Sequence, residues 1–231
     1  MHPADLHPAV SKLLTRTQWA QRTPEWYEVR KGLVTASDAA AILGIPPFPS
    51  FKGDPRKETM QKKLTSAPLR SMAAVHGVKY EQEACDMAMR ALGETAIEFG
   101  LLVHQDLTWL AASPDGVTTR GFAIEIKCPT KRRIEPGHIP HHYYPQVQVQ
   151  MEVCDLPATY FIQYKPGFLT HDGQPFVDIT IVERDRVWFR DNVASLREFW
   201  REYTDARAAM DPGEPPAADD GGGCLIRDDL Y

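Results

Sequence analysis

Glu125 and Lys127 stand two residues apart in the segment FAIEIKC, and Asp115 lies ten residues upstream of Glu125 in SPDG. Side chains alternate between the faces of a strand, so as a strand FAIEIKC puts the Glu125 carboxylate and the Lys127 ammonium on one side and Ile124 and Ile126 on the other. A turn at SPDG returns Asp115 to the end of that strand, where two carboxylates offer the hard oxygen ligands that suit Mg²⁺ or Mn²⁺. A divalent cation so held polarises a phosphoryl oxygen and lowers the pKa of a bound water, while a neighbouring ammonium orients that water or stabilises charge in the transition state. Nearby acids favour the charged form of Lys127, which suits it to electrostatic and water-positioning work more than to that of a general base. The chemistry within reach is metal-assisted hydrolysis of a phosphodiester. The same spacing is also that of a partly exposed edge strand with a Glu–Lys contact beside a loop aspartate, and composition and spacing do not separate the two.

These residues need a frame. Residues 1–15 read as a loose arm, and TRTQWAQRTPEWYEVRKG supplies aromatic side chains before Gly32. TASDAAAILG predicts a helix starting near Thr35 or Ser37, with Ala40, Ala41, Ile42 and Leu43 as its apolar surface and Gly44 as its stop. Pro46, Pro47, Pro49, Gly53 and Pro55 force a loop, followed by a helix over roughly 56–64 and a longer one over 71–92. In the longer helix Ala84, Cys85, Ala88 and Leu92 follow the apolar period, and Glu81 sits one turn earlier at the boundary of the core-facing surface. Three strands, AIEFGLLVH, TWLAAS and FAIEIKC, are separated by turn residues at 113–116 and by Gly121. A mostly helical segment at 141–154, strands at ATYFIQYK and around PFVDITIV, and a helix within ERDRVWFRDNVASLREFWREY complete the order. That order predicts an α/β core with a mixed sheet and helical flanks. We expect one domain with its N-terminal arm over residues 1–206, and a flexible acidic tail over 207–231 marked by Pro212, Pro215, Pro216 and GGGC.

Composition narrows the class. At 231 residues, 43% apolar and with five tryptophans, the chain can bury one sizeable core, which excludes disorder over most of its length. It has no apolar run of about 18 residues and no signal-peptide pattern at its start, so a soluble intracellular protein without a membrane span is expected. Cys85, Cys128, Cys154 and Cys224 lie far apart without a CxxC pair and read as free, mostly buried thiols. A net charge of -5 opposes a nucleic-acid partner at first sight, but six acids against two arginines from Arg207 onward put -4 of it in the tail. Lys127, Lys131, Arg132 and Arg133 cluster just after the acidic site, either as local attraction for phosphate or as a solvated basic turn.

Taken in order, SPDG at 113–116 and EIKCP at 125–129, with VRKGLVTAS, HGVKYEQEA and YYPQVQVQM, resemble the lambda-exonuclease-type, YqaJ-like viral recombinase branch of the PD-(D/E)xK nuclease superfamily. The likeness extends over roughly residues 24–165 and implies a restriction-endonuclease-like core. It implies that Asp115, Glu125 and the carbonyl of Ile126 hold the metal and that Lys127 positions the attacking water. Glu81 then matches the helical acid that approaches the metal directly or through water, and Gln146 the glutamine near the nucleophile. Arg30 and Ser37 correspond to residues that recognise a terminal 5′ phosphate, for which a guanidinium fork, a hydroxyl and helix-start N–H groups are suitable donors. Ser37 is equally a helix cap. Helical spacing places Gln146 and Gln150 on one face and Gln148 elsewhere, and of the three only Gln146 is counted as catalytic.

Other polar and aromatic residues rank lower. His76 suits local packing, and His141 and His142 diverge on a helix and make no metal site. Trp19, Trp26, Tyr143 and Tyr144 serve base stacking or core packing equally well. The resemblance implies a Mg²⁺-dependent DNA exonuclease, with Mn²⁺ as a substitute, acting 5′ to 3′ on 5′-phosphorylated ends of linear duplex and exposing single strand for recombination. It further implies a single-strand-annealing partner and a ring-shaped homo-oligomer such as a trimer; a cytoplasmic setting is expected if the chain is bacterial or phage-derived. The alternatives are a structure-selective endonuclease or repair nuclease, and a non-catalytic recombination scaffold that binds nucleic acid; Asp115, Glu125 and Lys127 disfavour the scaffold but do not separate exo- from endonuclease.

Overall fold

A computed structural model describes residues 6–65, 72–170, 173 and 175–210. The helices are α1 (Pro8–Leu14), α2 (Pro24–Lys31), α3 (Ala39–Ile42), α4 (Pro55–Thr65), α5 (Met72–Leu92), α6 (Tyr144–Cys154) and α7 (Arg186–Met210). The strands are β1 (Val34–Thr35), β2 (Ala96–Ile97), β3 (Leu102–Val103), β4 (Leu110–Ala112), β5 (Gly116–Thr118), β6 (Phe122–Lys127), β7 (Ala158–Leu169) and β8 (Pro175–Glu183). Five strands form a sheet in the order β2-β5-β6-β7-β8, parallel between β6 and β7 and antiparallel elsewhere, and β1-β4-β3 form a second, smaller sheet. This is the mixed sheet with helical flanks of a restriction-endonuclease-like core.

The alternation expected for FAIEIKC decides what each face carries. Ile124 and Ile126 pack with Tyr160, Ile162 and Tyr164 of β7 against Ala84, Ala88 and Met89 of α5. On the other face Phe161 packs with Val147 and Met151 of α6. The parallel β6–β7 pairing needs a crossover, and α6 lies within it. Glu125 and Lys127 therefore face α6, and Gln146 and Gln150 of that helix face them.

Several expectations are corrected. The arm is not loose throughout: Pro8–Leu14 form α1, and Val10 and Leu13 are 0% and 2% exposed in the core that also holds Trp109, Leu196 and Phe199. AIEFGLLVH is two strands in different sheets, and the chain changes sheet around Gly100. A side chain there would meet the Trp19 carbonyl oxygen at 2.1 Å, and Leu101 bridges to Trp19, so the close approach needs glycine. The two-residue β1 and the three-residue β5 are too short to announce themselves by pattern. α7 runs on to Met210, past the boundary expected at 206; the tail from 211 onward, with Cys224, lies outside the described residues. No helix among the described residues is long and apolar enough to cross a membrane.

The burial of α1 separates an arm from an element of the core. Leu13→Ala should cost about 2–5 kcal/mol, the range for emptying a buried leucine site, in a urea titration of the folded chain. A loss below about 0.5 kcal/mol would return α1 to the status of an appendage.

Candidate active site

Glu125 is 2% exposed, and its carboxylate is met from three directions. The Lys127 ammonium pairs with Oε1. Gln146 donates from Nε2 to the same oxygen at 2.7 Å, and Gln150 donates from Nε2 to Oε2 at 2.5 Å. Both glutamines lie on one face of α6, four residues apart, whereas Gln148 turns away to donate to the Glu183 carbonyl and accept from the Asp185 N–H. Lys127 lies over the Tyr143 ring at 4.8 Å. Burial works against its ammonium, but Glu125 and Asp115 outweigh burial and hold its pKa above the ordinary lysine value, so Lys127 is charged at neutral pH.

Asp115 reaches β6 as the turn at SPDG suggested. Its N–H donates to the Ile124 carbonyl at 3.0 Å, and its Oδ2 accepts from the Ile126 N–H at 2.7 Å. Burial, then Glu125 and Glu81, push its carboxyl well above the usual aspartate range, against Lys127 and the Ile126 N–H. Glu81 is held by Arg22 at 2.6 Å. Among the described residues no three His, Cys, Asp or Glu converge into a finished metal cage. The donor set nevertheless fits a divalent cation: the oxygens are hard, and the buried Asp115 carboxyl, raised by its burial and by the nearby Glu125 and Glu81, is relieved by added positive charge.

Arg30 and Ser37 come together on another wall. Thr23 caps α2 by accepting the Trp26 N–H at 3.2 Å, with Pro24 in the first turn, and this sets Trp26 and Arg30 on adjacent turns. The Arg30 guanidinium lies 4.1 Å from the centre of the Trp26 ring, with Nη2 3.3 Å from the Thr35 hydroxyl and 3.4 Å from that of Ser37. Asp38 steadies this corner: it accepts from Thr35 N and Oγ1 at 3.0 and 2.8 Å and pairs with Lys63 at 3.0 Å. Burial lowers the pKa of Arg30 from its ordinary value, with Asp38 opposing, so the guanidinium is already partly stripped of water. Trp26 then donates from Nε1 to the Ser113 hydroxyl at 3.0 Å, which ties this wall to SPDG.

One cleft of about 1070 Å³ is lined by Arg30, Ser37, Glu81, Asp115, Glu125, Ile126, Lys127 and Gln146, the residues expected to hold metal, act in catalysis or recognise phosphate. Lys131 and Arg132 line it too. His141 and His142 also face it, but burial, then Arg132 and Lys127, push His142 down to about 4, so it is neutral at pH 7. His76 packs beside Tyr80. Trp26 underlies Arg30, and Tyr143 underlies Lys127 while its ring also packs on Phe161 of the core. Sequence reasoning missed Gln150, whose four-residue spacing from Gln146 was its signal, and also Arg22 and Asp38, which carried none. Cys85 is half-buried, and Cys128 and Cys154 are buried, all free thiols.

Residues 25–158 match the YqaJ-like viral recombinase domain family. An uncharacterized protein of Acanthamoeba polyphaga mimivirus is 30% identical over 166 residues, which are 64% of this chain and 30% of that protein. The chain thus spans under a third of that relative's length. Among solved structures, an alkaline exonuclease from Laribacter hongkongensis superposes with a TM-score of 0.68 at 28% identity, covering 81% of this chain and 96% of its own. A phage-related exonuclease from Haemophilus somnus shares the fold, with a TM-score of 0.57 at 14% identity over 77% of this chain and 96% of its own.

The raised pKa of Asp115 has a thermodynamic sign. Between the ordinary aspartate value and the raised one, the folded protein holds a proton that the unfolded chain releases, so Asp115 destabilises the fold as pH rises through that window and most strongly above it. In EDTA at pH 8, Asp115→Asn should melt at least about 2 °C above the wild-type protein, roughly 1 kcal/mol for a chain this size, with the gain shrinking toward pH 4. Mg²⁺ should raise the wild-type melting temperature and leave that of the variant unchanged. A gain independent of pH would remove the electrostatic account.

Proposed function

The chain belongs to the YqaJ-like viral recombinase domain family of the PD-(D/E)xK nuclease superfamily, and from that premise we propose that it is a divalent-metal-dependent DNA exonuclease acting on 5′-phosphorylated ends of linear duplex. The observation that carries this reading is the single cleft that holds Asp115, Glu125 and Lys127 together with the Arg30–Ser37 corner. A cut next to a terminal phosphate needs both: groups that act on the scissile phosphodiester, and a separate anchor that fixes how far the end enters. The name of the Laribacter enzyme, an exonuclease at 28% identity, supports the same choice.

In this reading Asp115, Glu125 and the Ile126 carbonyl hold Mg²⁺, with Glu81 nearby. The cation supplies Lewis acidity that polarises the phosphoryl oxygen and acidifies the attacking water. Lys127, charged and braced over Tyr143, orients that water and offsets the negative charge that builds on the phosphoryl group. Gln146 shares Oε1 of Glu125 with Lys127 and so keeps the ammonium and the carboxylate in register. Arg30 presents two parallel N–H groups to the terminal phosphate, and Trp26 holds the plane of its fork. Phosphate contacts carry no base information, so the enzyme acts on ends of any sequence. The strand exposed by 5′ to 3′ degradation suits a single-strand-annealing partner, and a ring of protomers such as a trimer would retain the duplex between cuts.

The test compares linear duplexes carrying 5′ phosphate or 5′ hydroxyl with a closed circle, in Mg²⁺ or EDTA, and maps which end is shortened. We expect Mg²⁺-dependent loss of the linear 5′-phosphorylated duplex only. Lys127→Ala should lower kcat at least about a hundredfold. Arg30→Ala should raise KM for the phosphorylated end about tenfold or more and erase the preference over the hydroxyl end. Comparable cutting of the closed circle would replace the exonuclease with an endonuclease, and binding without metal-dependent cleavage would leave a scaffold.

A further inference from the structure

Gln150 touches Glu125 but, unlike Gln146 and Lys127, does not line the cleft, and it is 1% exposed. The Glu125 carboxylate is thus divided between a front and a rear. Lys127 and Gln146 hold Oε1 from the cleft, and among the described residues Gln150 alone holds Oε2, from behind it. Without the rear bond the carboxylate could turn about its last torsion and give both oxygens to Lys127, because terminal carboxylate torsions are soft.

The chemistry of the rear donor is selective. Its own Oε1 is buried and finds no donor among the described residues, which is unfavourable for stability. A methionine or leucine would fill the same space without that defect. A lysine or arginine would donate more strongly, but it would bring a second cation to an oxygen needed by a metal ion. An amide of this length donates to Oε2 without adding charge, and its orphaned oxygen is the consequence of that choice. Gln148 makes the contrast: equally buried on the same helix, it uses both ends of its amide in bonds to the backbone of Glu183 and Asp185, as a purely structural glutamine does.

We infer that Gln150 is a positioning residue that locks the rear oxygen of Glu125 and so presents its carboxylate to a divalent cation in one orientation. This rests on the proposed metal-dependent reading of the site. Outer groups that orient a metal's ligands typically alter affinity about 10- to 100-fold when removed.

The experiment titrates Mn²⁺ into the DNA-free full chain by electron paramagnetic resonance, counting only the binding that Asp115→Asn abolishes. Gln150→Met keeps the volume and removes the donor, and it should raise the Mn²⁺ Kd about tenfold or more. Gln148→Met should lower the melting temperature but hold the wild-type Kd. In cleavage assays Gln150→Met should need more Mn²⁺ yet show an unchanged KM for DNA at saturating Mn²⁺. A wild-type Kd in Gln150→Met overturns the inference. Should that variant fold poorly, Gln150→Asn keeps the amide one methylene short of Oε2, and a wild-type Kd there overturns it equally. A wild-type protein without Asp115-dependent Mn²⁺ binding would sink the nuclease reading itself and the role of Gln150 with it, an outcome distinguishable because it appears before any glutamine is changed.

Discussion

A carboxylate taken out of water on a central strand is expensive unless donors meet it, and the Glu125 carboxylate is almost fully enclosed. Its donors come from two places. Lys127 is supplied by the same strand face, and Gln146 and Gln150 by the helix that crosses over between β6 and β7. The crossover that the parallel pair requires thus also completes the site. Moving α6 by one residue along its axis would turn Gln146 and Gln150 away and leave a buried charge with only Lys127, so the packing of Val147 and Met151 on Phe161 fixes more than a core. Sheet register, helix register and site chemistry are one constraint seen at three scales.

The second wall is fixed by a chain of contacts that does not pass through the sheet interior. Thr23 caps α2, α2 sets Trp26 under Arg30, and Trp26 bonds Ser113 two residues before Asp115. Gln21 adds bonds to the Phe99 and Pro114 carbonyls at 3.0 and 2.8 Å. An arginine on an exposed helix would lose much rotamer freedom on binding phosphate; stacked on Trp26 and partly desolvated, Arg30 has lost part of it already. Under the proposed function, that preorganisation would serve as an anion anchor at a fixed distance from the carboxylates, which a cut of defined length needs.

Most of this was legible in the sequence wherever a pattern was long or periodic. Period-two alternation separated Glu125 and Lys127 from Ile124 and Ile126, and the helical period separated Gln146 and Gln150 from Gln148, each without reference to tertiary structure. What escaped notice was decided by partners distant in the chain. α1 holds two buried apolar residues in seven, too few for a periodic signal, and its stability comes from Trp109, Leu196 and Phe199 far downstream. AIEFGLLVH has the composition of one strand, and only the Trp19 backbone pressed against Gly100 shows why it must be two. Arg22 and Asp38 are ordinary surface residues by type, and their roles exist only because Glu81 and Lys63 lie opposite. Asp115 occupies an intermediate position: its turn could be read, but not the Ile126 N–H that receives it.

In the proposed reading, local charge also resolves how an acidic chain would address a polyanion. At physiological ionic strength charges farther apart than about 8 Å are largely screened, so the net value of -5 matters less than what lines the cleft. There Arg30, Lys127, Lys131 and Arg132 face Glu81, Asp115 and Glu125, with His142 neutral, a near balance that attracts phosphate only weakly. In the proposed reading a divalent cation between the carboxylates would add two charges to that slight positive excess where the phosphodiester would sit. Cation and substrate therefore favour one another electrostatically, and by linkage each raises the affinity of the other equally. In that reading the carboxylates of the cleft, set apart from the acidic tail that gives the chain most of its net charge, are the means by which it would acquire positive charge at the site.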